Sequence, residues 1–194
     1  MTSLPFSVPF RSPDLLIPEA SELLLIDVQE KLIPLIAGNE QVVKRCRFLL
    51  EVARLLEVKT LVSEQYPKGL GKTIEPLTGF TESISEKTNF SAAEVVGPFQ
   101  AQASPQSIVL MGIETHICVM QTAFDLHRLG YRVCVVTDAV GSRCETDHRT
   151  ALERMRDQGI TMVTSEMLAF EWCQSSKHPQ FKAVSQLVTA ASAD

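Results

Sequence analysis

The chain has 194 residues, of which 45% are hydrophobic and 21% charged, a balance typical of a soluble globular domain with a substantial core. A formal net charge of −5 and the lack of a basic run argue against nucleic acid and anionic membrane surfaces as partners. No apolar stretch is long enough to span a bilayer, so we expect no membrane partner. We expect a single domain over residues 1–194, in which residues 1–21 form an N-terminal arm.

The cysteines and histidines narrow the possible chemistry. The cysteine count is odd, no CxxC pair occurs, and the N-terminus lacks the basic start and long apolar block of a secretion signal. The sequence therefore predicts reduced thiols and a cytoplasmic location. The histidines are scattered without an HExxH pattern, and neither GxGxxG nor GxxxxGK[ST] follows a strand. We expect neither a metal nor another cofactor.

Strands alternate with helices in the first half of the chain. The apolar run at 22–27 is continuous rather than alternating, which is typical of a strand buried on both faces of a parallel sheet. Helical spacing of apolar residues predicts a helix over 41–58, and 59–63 is a second strand. Residues 64–77 contain two prolines and two glycines and are predicted to be a long irregular loop that forms a lid or wall of a site.

The second half continues the same alternation and predicts the fold class. Its predicted elements are a third strand within 83–90, a short helix at 92–96, a strand at 107–113, a helix at 115–129 with Thr115 as its N-cap, a strand at 131–137, a loop at 138–143, a helix at 146–158, a strand at 160–164, a helix from Ser165 and a last helix opened by Pro179. We expect an α/β protein, a three-layer α/β/α sandwich of Rossmann-like type around a mostly parallel six-stranded sheet.

Polar side chains at the predicted strand ends are the candidates for a site. Asp27 ends the first strand and Lys87 lies in the third, and ligands of open parallel sheets bind at this edge. An aspartate there can also be a turn cap, and lysines are usually solvated, so neither residue is diagnostic alone. Cys118 lies in the first turn of the helix after the strand at 107–113. Free N–H groups and the helix dipole favour a thiolate at that position.

Four segments together resemble a known family. They read LLLIDVQ, SEKTNFSA, MGIETHICV and DAVGSRCETDHRTALERMRDQG, and they span about residues 22–164 in the family's order. The chain resembles the isochorismatase-like family of cysteine hydrolases, which includes nicotinamidases and N-carbamoylsarcosine amidases. The loop EQYPKGLGKT is most similar to the subgroup called isochorismatase domain-containing proteins.

The resemblance implies a catalytic set and a reaction. The positions that match the family's aspartate, lysine and cysteine are Asp27, Lys87 and Cys118. The resemblance also implies a cis peptide at Ile113-Glu114 and an oxyanion hole formed by the backbone N–H groups of Glu114 and Cys118. The implied activity is hydrolysis of a small amide, carbamoyl or ureide-type C–N bond through a thioester intermediate. Family members commonly form dimers or larger closed assemblies, so a homo-oligomer is expected.

Further residues are predicted to line the pocket for a small-molecule substrate, and they are Gln29, Tyr66, Leu70, Phe90 and His116.

The nicotinamidases of the family hold a metal with an aspartate and histidines near the first two strands. The segment after the second strand of this chain has no histidine, so the resemblance does not imply a metal here. True isochorismatases do not keep the cysteine, and its presence argues against isochorismate as the substrate.

Two other classes of function stay open. One is a non-catalytic binding or scaffolding protein that retains the hydrolase fold, and selective alkylation of Cys118 would distinguish an activated thiolate from that alternative. The other is a redox-sensing or thiol-transfer protein, for which Cys144 is the candidate resolving cysteine at the same sheet edge. Cys46 lies in an apolar helical stripe and Cys134 is flanked by valines, so both are predicted core residues.

Overall fold

The computed structural model of the protein describes residues 11–81, 84–100 and 106–192. A six-stranded sheet runs through its centre. The strands are β1 Ser21–Ile26, β2 Lys59–Gln65, β3 Ile84–Lys87, β4 Ser107–Ile113, β5 Arg132–Gly141 and β6 Thr161–Val163. The helices are α1 Asn39–Leu55, α2 Pro67–Leu70, α3 Ala93–Val96, α4 Met120–Arg128, α5 Glu145–Asp157, α6 Ser165–Cys173 and α7 Phe181–Ser192, and a π-helical turn, Thr115–Val119, precedes α4.

The strand order places a topological switch point at the middle of the sheet. The order is β3-β2-β1-β4-β5-β6, and every neighbouring pair is parallel. The chain therefore moves outward from β1 in one direction and then from β4 in the other. The carboxyl ends of β1 and β4 border the crevice where ligands of such sheets bind. The predicted Rossmann-like α/β/α architecture is confirmed, and the sheet is parallel throughout.

Two apolar layers cover the faces of the sheet. Alternate residues of β1 point to opposite faces, so Leu23 and Leu25 pack in the layer formed by α1, α6 and α7, whereas Leu24 and Ile26 pack in the layer formed by α4 and α5. Trp172 is fully buried in the first layer. The two predicted core cysteines, Cys46 and Cys134, are fully buried, which confirms that prediction.

The structure corrects three predicted boundaries. β2 continues to Gln65, and the predicted irregular loop contains α2 and a 3₁₀ turn, Glu75–Leu77. The predicted loop at 138–143 is strand up to Gly141, because the end of β5 pairs again with β4 after a register shift. Thr115 is not an N-cap: it lies inside the π-helical turn, and its hydroxyl contacts Nδ1 of His148 at 2.9 Å.

The described part of the predicted N-terminal arm, residues 11–20, is tied to α6. The guanidinium of Arg11 donates to the carbonyl oxygens of Leu16 and Glu171, and the N–H of Leu16 donates to a carboxylate oxygen of Glu171 at 2.8 Å. Leu16 is buried. Residues 1–10 of the predicted arm lie outside the described residues. In the described ranges, no helix combines the length and apolarity needed to cross a membrane.

Candidate active site

Three strand ends deliver the predicted catalytic side chains to one crevice. Asp27 directly follows β1, Lys87 is the last residue of β3, and Cys118 lies in the π-helical turn after β4. Asp27 has a φ of 53°, which turns the chain sharply out of the strand, and its N–H donates to the carbonyl of Ser63 at 3.2 Å. Because β1 and β4 meet at the switch point, the aspartate and the cysteine come from opposite sides of it.

The ion pair between Lys87 and Asp27 is buried at the carboxyl edge of the sheet. Nζ of Lys87 is 2.7 Å from Oδ2 of Asp27, and both side chains are almost completely removed from solvent. The hydroxyl of Ser63 donates to the other carboxylate oxygen at 2.7 Å. The thiol of Cys118 lies close enough to Asp27 and Lys87 for both charges to act on its pKa. The structure therefore brings the three predicted residues together at one edge of the sheet.

Lys87 has further partners that fix its ammonium group. Oε1 of Gln65 accepts from Nζ at 2.7 Å, and the carbonyl oxygens of Phe90 and Asn89 accept at 3.0 and 3.2 Å. A buried ammonium needs several acceptors to offset the loss of water. The turn after β3 supplies two of them because its carbonyls point back at the lysine.

The pKa of the Cys118 thiol is raised, whereas the sequence predicted a lowered pKa and a thiolate. Burial and the neighbouring Asp27 carboxylate raise the pKa of Cys118 to about 12, although Lys87 acts to lower it. Burial also raises the pKa of Asp27 above its ordinary value, against the lowering effect of Lys87 and of the hydrogen bonds from Ser63 and Cys118. Cys118 is 8% exposed, and desolvation by burial is the largest cause of its raised pKa. The free protein therefore holds Cys118 as a thiol beside a carboxylate that can accept its proton.

The backbone around the cysteine is shaped by Gly112 and by the π-helical turn. Gly112 has a φ of 115°, and a Cβ there would lie 2.1 Å from the carbonyl oxygen of Ile26, so only glycine lets β4 approach β1 this closely. The Ile113-Glu114 peptide is cis. The carbonyl of Glu114 accepts from the N–H groups of Ile117 and Val119, but not from that of Cys118 between them.

The loop after β2 is a fixed wall. The side-chain amide of Gln29 donates to the carbonyls of Gln65 and Gly71 at 3.0 and 2.7 Å. A carboxylate oxygen of the buried Glu64 accepts from the N–H and the hydroxyl of Thr73 at 2.6 and 2.9 Å. These contacts tie the loop at Gly71 and Thr73 to the ends of β1 and β2. Of the two predicted alternatives, lid or wall, the geometry favours the wall.

The five residues predicted to line the pocket have different positions. Gln29 is fully buried, as Asp27 is, and its side-chain amide donates to the carbonyl of Gly71 in the wall. Tyr66 is half exposed and, with Lys87, lines a cavity of about 300 Å³. Phe90 is equally exposed and lines a neighbouring cavity of about 550 Å³.

The other two predicted pocket residues, Leu70 and His116, are half-buried and form hydrogen bonds with neighbouring segments. Leu70 is half-buried at the end of α2, and its carbonyl accepts from the N–H of Lys31 at 3.1 Å. His116 is half-buried, and its Nδ1 lies 3.0 Å from the hydroxyl of Ser142. Neither residue contacts Asp27, Lys87 or Cys118 by a hydrogen bond in the described structure.

Two residues of the site were missed from the sequence, Ser63 and Gln65. Both lie at the end of β2, and Ser63 pairs in register with Ile26, directly before Asp27. Their signal was the position of β2 next to β1 in a parallel sheet, which puts the last residues of β2 beside Asp27. Within the described ranges, no group of three or more histidine, cysteine, aspartate or glutamate side chains is arranged to hold a metal ion.

Comparison with known proteins gives the family. The model of the isochorismatase domain matches residues 21–167, which include the whole crevice. The chain belongs to the isochorismatase family. It is 41% identical over 174 residues to isochorismatase domain-containing protein 2A of Mus musculus, covering 89% of this chain and 84% of the relative. It is 38% identical over 178 residues to isochorismatase domain-containing protein 2 of Danio rerio, covering 91% and 90%.

Among solved structures, one titled as the MAR1 ribonuclease of Caenorhabditis elegans superposes with a TM-score of 0.83 at 36% identity, covering 93% of this chain and 95% of that chain. The isochorismatase family has a hydrolase fold, and this chain has that fold. The resemblance predicted from the four sequence segments is confirmed.

Proposed function

We propose that this isochorismatase family member is a cysteine hydrolase that cleaves a small amide, carbamoyl or ureide-type C–N bond through a thioester. The observation that carries the proposal is the contact set of Cys118, Asp27 and Lys87 at the switch point of the sheet. A thiol, a carboxylate and an ammonium group in mutual contact, removed from solvent, are what an activated nucleophile needs.

The first half of the proposed reaction forms the thioester. The carboxylate of Asp27 takes the thiol proton of Cys118 as the sulfur attacks the substrate carbonyl, and the ammonium of Lys87 stabilises the negative charge on the sulfur. The backbone N–H groups of Glu114 and Cys118 donate to the oxyanion of the tetrahedral intermediate. The C–N bond then breaks, and the departing nitrogen receives the proton from Asp27.

The second half restores the enzyme. Asp27 is again a carboxylate and takes a proton from a water molecule. The oxygen of that water attacks the thioester carbonyl. The C–S bond breaks, a carboxylic acid leaves, and the sulfur of Cys118 is reprotonated. A base is needed in the first half because a thiol with a pKa of about 12 is almost fully protonated near neutral pH. In the second half the base is needed to deprotonate the attacking water.

The test is a screen for ammonia or amine release from a panel of small amides, carbamoyl acids and ureides. We expect Cys118→Ala to abolish turnover of any substrate found, with a loss of at least about 10³-fold, because no other group can form the acyl intermediate. Cys144→Ala is the matched control, since Cys144 is exposed. Turnover that survives Cys118→Ala would refute the mechanism. Intact-mass detection of an acyl adduct on Cys118 would support it.

A ribonuclease activity is a second candidate, because the structure similar at 36% identity is titled a ribonuclease. The net charge of −5 argues against it, since RNA binding depends on neutralising phosphates with basic side chains. We therefore expect no RNA cleavage above that of a Cys118→Ala preparation. RNA cleavage that depends on Cys118 would contradict the proposed small-amide substrate and support RNA as the substrate instead. The predicted homo-oligomer and cytoplasmic location stay predictions.

A further inference from the structure

Gln65 contacts the catalytic lysine but has no role in the reaction proposed above. Its Oε1 lies 2.7 Å from Nζ of Lys87, as close as the carboxylate of Asp27. Gln65 is the last residue of β2, and its side chain is only partly exposed. The short distance and the position beside the crevice raise the question of what the amide does there.

The orientation of the Gln65 amide is fixed by a second hydrogen bond. Its Nε2 donates to the carbonyl of Thr88 at 2.9 Å, so the amide oxygen must face the ammonium of Lys87. Rotating the amide by half a turn would place its NH₂ group against the ammonium and its oxygen against the Thr88 carbonyl. Both contacts would then be repulsive, because each would pair two donors or two acceptors.

The backbone of Gln65 is fixed as well, by Gln29. The N–H of Gln65 donates to Oε1 of Gln29 at 2.7 Å, and the Gln65 carbonyl accepts from Nε2 of Gln29 at 3.0 Å. Gln29 is fully buried, and its side-chain amide also donates to the carbonyl of Gly71. The Gln29 side chain is therefore held from two sides. Two glutamines thus form a rigid support that ends at the ammonium group of Lys87.

We propose that Gln65 is a positioning residue that holds the ammonium of Lys87 between Asp27 and Cys118 through a neutral acceptor. Neutrality matters because a carboxylate at this place would bind the ammonium more strongly than an amide does. It would draw the lysine away from the thiol and add a negative charge that disfavours the thiolate. The inference rests on the proposed role of Lys87, but its test does not require a known substrate.

The test measures alkylation of Cys118 by iodoacetamide at about pH 9, quantified by peptide mass spectrometry relative to the exposed Cys144. Gln65→Met keeps the length of the side chain and removes the acceptor, and Gln65→Glu keeps the size and the acceptor but adds charge. The matched control is Gln41→Met, which makes the same replacement at an exposed position of α1.

We expect the Cys118 rate to fall roughly three- to tenfold in Gln65→Met, to fall further in Gln65→Glu, and to be unchanged in Gln41→Met. A residue that only filled space or held the loop would let Gln65→Glu react like the parent protein. Rates within about twofold of the parent in both Gln65 variants would overturn the proposal. If Gln65→Met does not fold, Gln65→Glu decides alone, and loss of the fold in both would assign Gln65 to stability instead.

Lys87→Met separates this inference from the proposed function. If Lys87→Met slows Cys118 while the Gln65 variants do not, only the role of Gln65 is wrong. If Lys87→Met leaves the Cys118 rate unchanged, the ammonium does not stabilise the thiolate, and the roles of both residues are wrong.

Discussion

Replacing Lys87 by methionine tests whether the ion pair at the base of the crevice is as isolated from water as the structure indicates. Lys87→Met preserves most of the side-chain length and removes the charge. It leaves the carboxylate of Asp27 with the hydroxyl of Ser63 and the thiol of Cys118 as its side-chain partners. No positive charge remains to offset the desolvation of a carboxylate that is almost completely buried.

The expected loss follows from that burial. Removing one partner of a buried ion pair typically costs about 3–5 kcal/mol, because the other charge stays buried without compensation. With a urea m-value of about 2–3 kcal/mol per M, the midpoint of unfolding should fall by roughly 1–2.5 M. The double variant Asp27→Asn, Lys87→Met removes both charges, and it should recover about half of the loss or more. Lys177→Met, at an exposed position, is the control and should change stability by less than about 0.5 kcal/mol.

The effect of Lys87→Met should depend on pH with a defined sign. Without the ammonium, the pKa of Asp27 in the folded variant lies further above its unfolded value, since burial already raises it in the parent protein. The folded variant then binds a proton that the unfolded chain has released, so its stability falls as pH rises through this window. The difference between parent and variant should be smaller at about pH 5 than at about pH 8. An unchanged midpoint, or a double variant no more stable than Lys87→Met, would refute the reasoning.

The remaining predictions concern the backbone approach of β4 and the state of the thiol. Gly112→Ala should destabilise the protein by more than about 4 kcal/mol or prevent folding, since its Cβ would lie 2.1 Å from the carbonyl oxygen of Ile26; a urea midpoint near that of the parent would contradict this. Alkylation of Cys118 should accelerate about tenfold per pH unit between about pH 7 and pH 10 without a plateau, because its pKa is raised to about 12. A free cysteine peptide, with a pKa near 8.5, is the reference that levels off. An alkylation rate of Cys118 that is already independent of pH near neutrality would contradict the raised pKa and support the thiolate predicted from the sequence.

The sequence was sufficient to predict the architecture, and the structure brings Asp27, Lys87 and Cys118, the set implied by the family resemblance, to one edge of the sheet. Asp27, Lys87 and Cys118 each lie at or just after a strand, and in a parallel sheet the carboxyl ends of all strands share one edge. The alternation of strands and helices in the sequence therefore indicated which residues lie at the edge that holds the site. Gln65 was missed because the predicted β2 ended at Ser63, although the backbone pairing continues to Gln65. Ser63 lay inside the predicted strand, but its contact with Asp27 depends on how β1 and β2 pair.

The charge state of the thiol was not predictable from the same pattern. Position at a helix N-terminus argues for a lowered pKa of Cys118, whereas burial and the carboxylate of Asp27 argue for a raised one. A sequence gives the first effect directly, but the second depends on how deeply the side chain is packed. The same limit applies to Gln29, which was predicted to line the pocket: its complete burial and its hydrogen bonds to the loop follow only from the packing.

The fixed wall formed by the loop after β2 has a consequence for how a ligand is recognised. Because Gln29 and Glu64 already hold the loop at Gly71 and Thr73, we expect little conformational entropy to be lost at these residues when a small molecule binds beside them. Even a compound with few atoms, and so with little contact energy of its own, can then be held in one orientation. The same rigidity makes the recess a size filter, since a bulkier analogue meets a wall that cannot retreat without breaking buried hydrogen bonds.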